Sequence, residues 1–507
     1  MASNPVESAP AVIVKNKGLL TVAIMLATVM QVLDTTIANV ALPHMSASLG
    51  AAQHEITWVL TSYIVASAIA TPVTGWMSDR IGQKTLFLAA IAGFTLASAL
   101  CGMATSLGEM VAFRIMQGLC GAMIAPLAQT VILNINPKER VAQAMAIYGI
   151  GVMVAPIVGP TLGGWLTESV NWRWVFLVNI PVGLICIALL IFNMPNSDKR
   201  NRRFDFFGFA MLALGIGALQ LMLDRGSDND WFQSTETWIE LAFVVSGLWV
   251  YLIHSLTAES PFVDLRIFKD RNFALAAIFM FLIGMTMFSA LALLPPLLQN
   301  FLGYPVITSG ELMAPRGATS MISMMIIGRF GNRIDTRFMM LFGATLMTAA
   351  LYMMTGFNLQ MDSHMIIITG ALQGVGMGFI FVPLSALAFS TLSTKLRGDA
   401  TSMYALVRNL GQGIGVSMVS AVLANMMQIN HSELAERLTV TSKAVHRHLP
   451  GLVEGTASAL HSANALVTQQ AAILSYIDDF WLMTLLSTVS VPLLLLLRKP
   501  KPGAARK

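Results

Sequence analysis

The chain has 507 residues, 55% hydrophobic and only 11% charged, with a formal net charge of +5 and a mean hydropathy of +0.69. Soluble domains carry about 25% charged residues, so this composition excludes a soluble globular protein and leaves a polytopic membrane protein. The basic excess does not indicate nucleic acid, because the basic residues are distributed by the rhythm of the apolar runs.

A helix crosses the hydrocarbon core with about 20 apolar residues. Fourteen such runs occur, at 18–42, 57–77, 86–104, 109–133, 141–165, 173–194, 206–223, 237–257, 272–298, 308–328, 338–357, 364–391, 400–428 and 480–497. The first follows Lys15 and Lys17 as a secretory signal would. It is too long for a signal, lacks a small-residue cleavage site and contains the polar cluster LDTTIAN, so it is expected to be retained. Asp34 is the only formally charged side chain between Gly18 and His44. A carboxylate within the membrane is costly and marks a functional site by default.

Of the 31 Lys and Arg residues, 23 fall in the N-terminus, the even-numbered connections and the C-terminal tail, and five in the odd-numbered connections. The remaining three, Arg114, Arg316 and Arg408, lie within spans. This positive-inside alternation places both termini in the cytoplasm. Cys101, Cys120 and Cys186 lie in apolar spans and read as small core residues.

The chain repeats itself. GWMSDRIGQKT (75–85) recurs as GRFGNRIDTRF (328–338), with Gly75, Arg80 and Ile81 matching Gly328, Arg333 and Ile334 at an offset of 253 residues. In span 4 Gln117-Gly118 and Pro126-Leu127 recur in span 12 as Gln373-Gly374 and Pro383-Leu384. Two parallel six-helix halves with a substrate path between them are a recurring architecture of secondary transporters. The expected fold is therefore an all-α polytopic membrane protein. Residues 1–195 form one half, 196–265 two inserted helices with linkers, and 266–507 the second half, including an extracytoplasmic loop at 429–479.

In the connection after span 2, Gly75 allows close helix approach and Gly82 a tight turn. Asp79 can accept from N–H groups at a neighbouring helix start, while Arg80 and Lys84 stay on the basic side. In span 5, Ala155, Gly159 and Gly163 recur on one face, a small-residue stripe suited to close packing. Pro156 and Pro160 interrupt the hydrogen bonding of that helix, so a bend is expected. Arg114 in span 4 requires a partner or a wet cavity, whereas Arg316 is expected to snorkel from near a helix end. Polar side chains at Gln31, Thr35, Asn39, Gln129 and Arg408 are candidate cavity residues. The 34 methionines suit a promiscuous surface without showing where it lies. The outward histidines His431, His446, His448 and His461 match no zinc spacing, so no metal site is expected. No HExxH zinc motif or GxxxxGK[ST] phosphate loop occurs, which argues against a zinc enzyme or an ATP-driven pump.

LDTTIANVALP (33–43), the Gly75–Lys84 loop, RIMQG (114–118) and APIVGPTLGGWL (155–166) resemble the major facilitator superfamily, in particular its fourteen-span EmrB/QacA group of drug:proton antiporters. NWRWVFLVNIPVG (171–183), LQLMLDRGSDNDWF (219–232) and RNLGQGIG (408–415) resemble the EmrB branch. Gln83 stands where the family usually has a basic residue, and Ala155 where it has glycine. The resemblance implies a transporter rather than an enzyme, without cofactor and driven by the proton gradient, in a bacterial inner membrane. It implies proton coupling through Asp34 and Arg114, and a latch of Gly75, Asp79, Arg80, Gly82 and Lys84. It also implies an antiporter-type helix that limits leak, containing Ala155, Pro156, Gly159, Pro160, Gly163 and Gly164. Implied partners are small-molecule drugs, protons, membrane lipid, a periplasmic membrane-fusion adaptor docking on the 429–479 side and an outer-membrane channel. The alternative cargo is one endogenous metabolite or siderophore.

Overall fold

A computed structural model describes residues 14–52, 55–137, 140–197, 199–227, 229–393, 396–438 and 457–494. Among these residues the regular structure is helical and no strand occurs. The first half comprises α1 (Lys17–Leu49), α2 (Trp58–Ala70), α3 (Val73–Ile81), α4 (Gln83–Met103), α5 (Leu107–Gly121), α6 (Ile124–Ile135), α7 (Val141–Ser169), α8 (Trp174–Leu177) and α9 (Asn179–Asn193). The inserted pair is α10 (Phe206–Arg225) and α11 (Thr235–Thr257). The rest comprises α12 (Arg271–Pro296), α13 (Val306–Phe330), α14 (Thr336–Met354), α15 (Ser363–Ser390), α16 (Arg397–Arg437) and α17 (Ala457–Leu494).

Among the described residues, thirteen crossings are long and apolar enough to span a membrane, counting the bent pair α2/α3 as one. Helix α13, with 25 residues and a length of about 37 Å, is long enough for a further crossing but less apolar than the others. Its Ser309, Glu311, Arg316 and Thr319 dilute its apolarity. Helix starts are closed by polar side chains that accept from otherwise unpaired N–H groups. Asn16 does this for α1, Ser106 for α5 and Asp205 for α10.

Span 2 and the last two helices depart from expectation. Span 2 is not one rod but α2 and α3, bent by 58° at the intervening residues, where Pro72 has no N–H to continue the ladder. Helix α7 runs unbroken through Pro156 and Pro160. Helices α16 and α17, with 41 and 38 residues, exceed what a bilayer needs. Residues 429–437 and 457–479 are thus helical extensions rather than loop. Residues 439–456, including Lys443, His446 and His448, lie outside the described residues.

The repeat is visible in packing. Helix α5 lies on α2, and α15 lies on α13. A Cβ on Gly118 would meet the Tyr63 carbonyl at 2.5 Å, and one on Gly374 would meet the Arg316 carbonyl at 2.0 Å. Matched glycines therefore let matched helices touch backbone to backbone. The first six crossings meet the last six through α7 on α13 and through α3 and α6 on α16, while α10 packs on both α2 and α16.

Candidate functional site

Asp34 lies halfway along α1 with 0% exposure. Arg114 of α5, also 0% exposed, donates from Nη1 to Asp34 Oδ2 at 2.6 Å. Gln117, one turn further along α5, donates to Asp34 Oδ1 at 2.8 Å and accepts from Arg114 Nη1 at 2.7 Å. Asn179, at the start of α9, donates to the same Oδ1 at 2.8 Å and approaches Ser98 Oγ of α4 at 3.0 Å. Arg114 Nε donates to the Val59 carbonyl, and the guanidinium stacks over Tyr63 with its carbon 4.4 Å from the ring centroid. Its Nη2 is buried without a partner.

Helices α5 and α9 thus meet α1 at one carboxylate, with α2 and α4 bracing its donors. The ion pair offsets the desolvation of both charges, and the amides fill the remaining acceptor sites. Removing the charge of Asp34 would leave a buried guanidinium short of its counter-charge.

The small residues of α7 hold α1 in position. A Cβ on Gly159 would meet Thr36 Oγ1 at 2.2 Å, and one on Gly163 would meet Ile37 Cγ2 at 3.1 Å. These contacts flank Asp34. Ala155 is buried, Pro156 and Pro160 are half-buried, and Gly164 faces open space. The stripe therefore packs on α1 within the same half. The seam with the other half uses α7's Ile157 and Thr161, which oppose Gly317 and Gly310 of α13.

Among the cavity candidates, Gln31 and Thr35 are half-buried and Asn39 is exposed. Thr35 spends its hydroxyl on the Val32 carbonyl. Gln129 of α6 and Arg408 of α16 approach the buried Tyr148 of α7 from opposite halves. Arg316 corrects the snorkelling expectation. It is only 8% exposed, ten residues into α13, with Nη2 donating to the Met287 carbonyl of α12 at 3.1 Å. Sequence placed it in an apolar run but could not say which way it faced.

At the end carrying the basic connections, α3 and the start of α4 grip the end of α9 and the linker that follows it. Trp76 Nε1 donates to the Arg202 carbonyl, Arg80 to Asn201 Oδ1 and Lys84 to the Ile191 carbonyl. Gly82 takes φ +93°, which favours glycine. Arg202 then reaches across with Nη1 2.9 Å from both carboxylate oxygens of Asp399 in the first turn of α16. It is also 3.8 Å from Asp79, and its Nη2 donates to the Phe262 carbonyl at 2.7 Å. A Cβ on Gly75 would lie 2.4 Å from Asp399 Oδ1. Asp79, expected to accept from a helix start, instead faces Arg202, and Asp399 is the acid at that helix start. Thr130 and Thr401 hydroxyls meet at 2.7 Å, and Arg397 donates to Asn134 Oδ1 at 3.0 Å, closing the same end.

Asn179, Arg202 and Asp399 were not singled out by sequence. Asn179 lay in plain view in VNIPVG, but an amide in a span carries no distinguishing signal. Arg202 is one of four basic residues in KRNRR, all explained equally well by the positive-inside bias.

The family model described as Major Facilitator Superfamily matches residues 24–416. The chain is 37% identical over 487 residues to the fatty acid resistance protein FarB of Neisseria gonorrhoeae, covering 95% of this chain and 96% of that one. It is 35% identical over 484 residues to the multidrug export protein EmrB of Escherichia coli K12, covering 94% and 93%. Its fold is similar to the human organic anion transporter MFSD10 (TM-score 0.58, 14% identity, 93% of this chain and 99% of that one). It is also similar to the proton:xylose symporter XylE (TM-score 0.57, 13% identity, 94% and 96%). On these matches, which run nearly end to end, the chain is a membrane protein that belongs to the major facilitator superfamily.

Proposed function

We propose that this protein is a proton-driven exporter of amphipathic, cationic or hydrophobic drugs, working in a bacterial inner membrane with both termini in the cytoplasm. The observation that carries the reading is the fully buried Asp34 carboxylate, held at 2.6 Å by Arg114 and at 2.8 Å by Gln117 and Asn179. Such a group changes the local balance of charge when a proton arrives, and its donors come from two other helices, α5 and α9, so that change is passed beyond α1. The relatives named for multidrug export support drugs as cargo.

In this reading the charged Asp34 belongs to the carrier that loads substrate from the cytoplasm or inner leaflet. A proton from outside neutralises it, weakens its hold on Arg114 and favours release, after which the empty carrier resets. The Arg202–Asp399 bridge, with Gly75, Asp79, Arg80, Gly82 and Lys84 around it, is the latch that closes the cytoplasmic end. The packing of Gly159 and Gly163 on α1 ties helix α7 to the proton site, so leak is limited by the same helix that touches the other half. The proton gradient supplies the free energy and no cofactor is required. The outward extensions of α16 and α17 suit docking of a periplasmic adaptor leading to an outer-membrane channel.

The test is uptake into everted vesicles across a chemically diverse panel, with and without an uncoupler. Concentrative uptake abolished by the uncoupler is expected. Uptake of the panel that is indifferent to the uncoupler, or uptake driven by ATP, would overturn the reading.

A further inference from the structure

The two halves place a guanidinium at corresponding depths but compensate only one of them. The offset of 253 residues that carries Gly75 onto Gly328 also carries Tyr63 onto Arg316, Asp34 onto Met287 and Cys101 onto Met354. The matched contacts agree with this registration. Cys101 lies beside Gln117 in the first half, and Met354 beside Gln373 in the second. Gly118 abuts the Tyr63 carbonyl, and Gly374 the Arg316 carbonyl. In the first half Arg114 points at Asp34. In the second, the arginine has moved to α13, and it points at the residue that replaces the acid, bonding only the Met287 carbonyl.

Arg316 is therefore a buried cation without a counter-charge. Its Nη1 has no partner, nor has Oε1 of the matched Gln373, and no carboxylate pairs with it among the described residues. Arginine cannot escape by losing its proton, and an uncompensated charge away from water is costly. Met287 lies against Arg316 and Met354 against the matched Gln373, and thioether side chains there leave the surroundings apolar and adaptable. The next residue, Gly317, lies directly against Ile157 of α7 at the seam between the halves. Arg316 is thus one residue from the seam between the halves.

We propose that Arg316 is an anion subsite of the second half, taking the carboxylate of an amphipathic acid whose tail lies among the methionines. The proton chemistry at Asp34 and the anion chemistry at Arg316 then occupy different halves. The proposal rests on the exporter reading for the direction of travel alone; binding at Arg316 is testable without it.

Binding of lauric acid, lauramide and lauryltrimethylammonium is measured to the purified full chain in lipid nanodiscs, for the wild type, Arg316→Gln and Arg316→Lys. Charge-assisted hydrogen bonds to a carboxylate predict that the wild type prefers laurate over lauramide by about tenfold or more. Arg316→Gln is expected to erase that preference while changing lauramide affinity less than about twofold. Arg316→Lys retains the charge without the planar fork and is expected to keep part of the preference. It provides the comparison if the glutamine variant does not fold. Equal weakening of all three ligands in Arg316→Gln, or no preference in the wild type, overturns the proposal. Chloride binding that depends on Arg316, with no laurate preference, assigns the site to an inorganic anion and also overturns it. Proton-dependent export is scored separately in reconstituted vesicles, so its loss in the wild type would count against the exporter reading and leave the binding result standing.

Discussion

At Asp34 the choice of substitution separates chemistry from folding. Asp34→Asn keeps the side-chain shape and one carbonyl for Arg114 but cannot release a proton, so we expect folded protein that binds substrate without proton-linked accumulation. Wild-type rates of uncoupler-sensitive export by Asp34→Asn would remove Asp34 as the coupling acid. Asp34→Ala is expected to be worse, because it removes the charge and also leaves the donors of Arg114, Gln117 and Asn179 without an acceptor in the core. Breaking a buried pair from one side costs about 3–5 kcal/mol, so its melting temperature in detergent should fall well below that of Asp34→Asn. Asp34 and Arg114 were legible because a charge in an apolar run has few innocent explanations. Gln117 and Asn179 were not, since amides are tolerated in spans for many reasons and only their convergence on one oxygen shows their purpose. Arg316 was misread for the complementary reason: length of the run locates a residue along a helix, but the facing direction is set by packing.

The elements show where periodicity and hydropathy suffice and where they stop. Thirteen of the fourteen apolar runs became crossings long and apolar enough to span a membrane, among the described residues, because the thickness of the hydrocarbon core dictates length. The 58° break between α2 and α3 was signalled by Pro72 and not drawn from it, since proline inside a span is common enough to be ignored. The 429–479 segment reads as a solvated loop with short amphipathic helices, and its described parts are instead continuous with α16 and α17, because hydropathy marks only where the membrane part of a helix ends. Close packing at Gly75 leads to a sharp expectation. An added methyl at Gly75 would lie 2.4 Å from Asp399 Oδ1, so Gly75→Ala should hold the α3–α16 end open. A cysteine replacing Thr401, whose hydroxyl meets Thr130 at 2.7 Å, should then react faster with a cytoplasmic maleimide than in the Gly75 background, with Cys101, Cys120 and Cys186 removed from both. Arg202→Ala should act in the same direction, and the two effects should be less than additive because both remove the same bridge. Unchanged reactivity in both variants would mean that the bridge does not govern closure.

Across the whole molecule, the alternation of basic connections is the sequence feature from which orientation is expected, and it yields a topology test. A cysteine introduced at 195–205 should be labelled from the cytoplasm alone, and one at 440–450 from outside alone; labelling of both from one side would undo the fourteen-crossing arrangement. Orientation in turn fixes how the membrane potential acts on transport. One charge crossing 100 mV is worth about 2.3 kcal/mol, and about 1.4 kcal/mol is a factor of ten. With one proton entering per molecule exported, a neutral drug gains roughly a 40-fold gradient from that voltage. A monovalent cation leaving against the proton moves no net charge and gains nothing, so its export should depend on the pH difference alone. A monovalent anion leaving as the proton enters moves two charges and gains on the order of 10³-fold. Proteoliposomes with the potential clamped by potassium and valinomycin, loaded with matched neutral, cationic and anionic compounds at equal pH on both sides, resolve these three cases. The expected order of voltage sensitivity is anion, then neutral compound, then cation. If the cation is driven by voltage as strongly as the neutral compound, more than one proton enters per cycle, and a single carboxylate at Asp34 cannot carry the coupling alone.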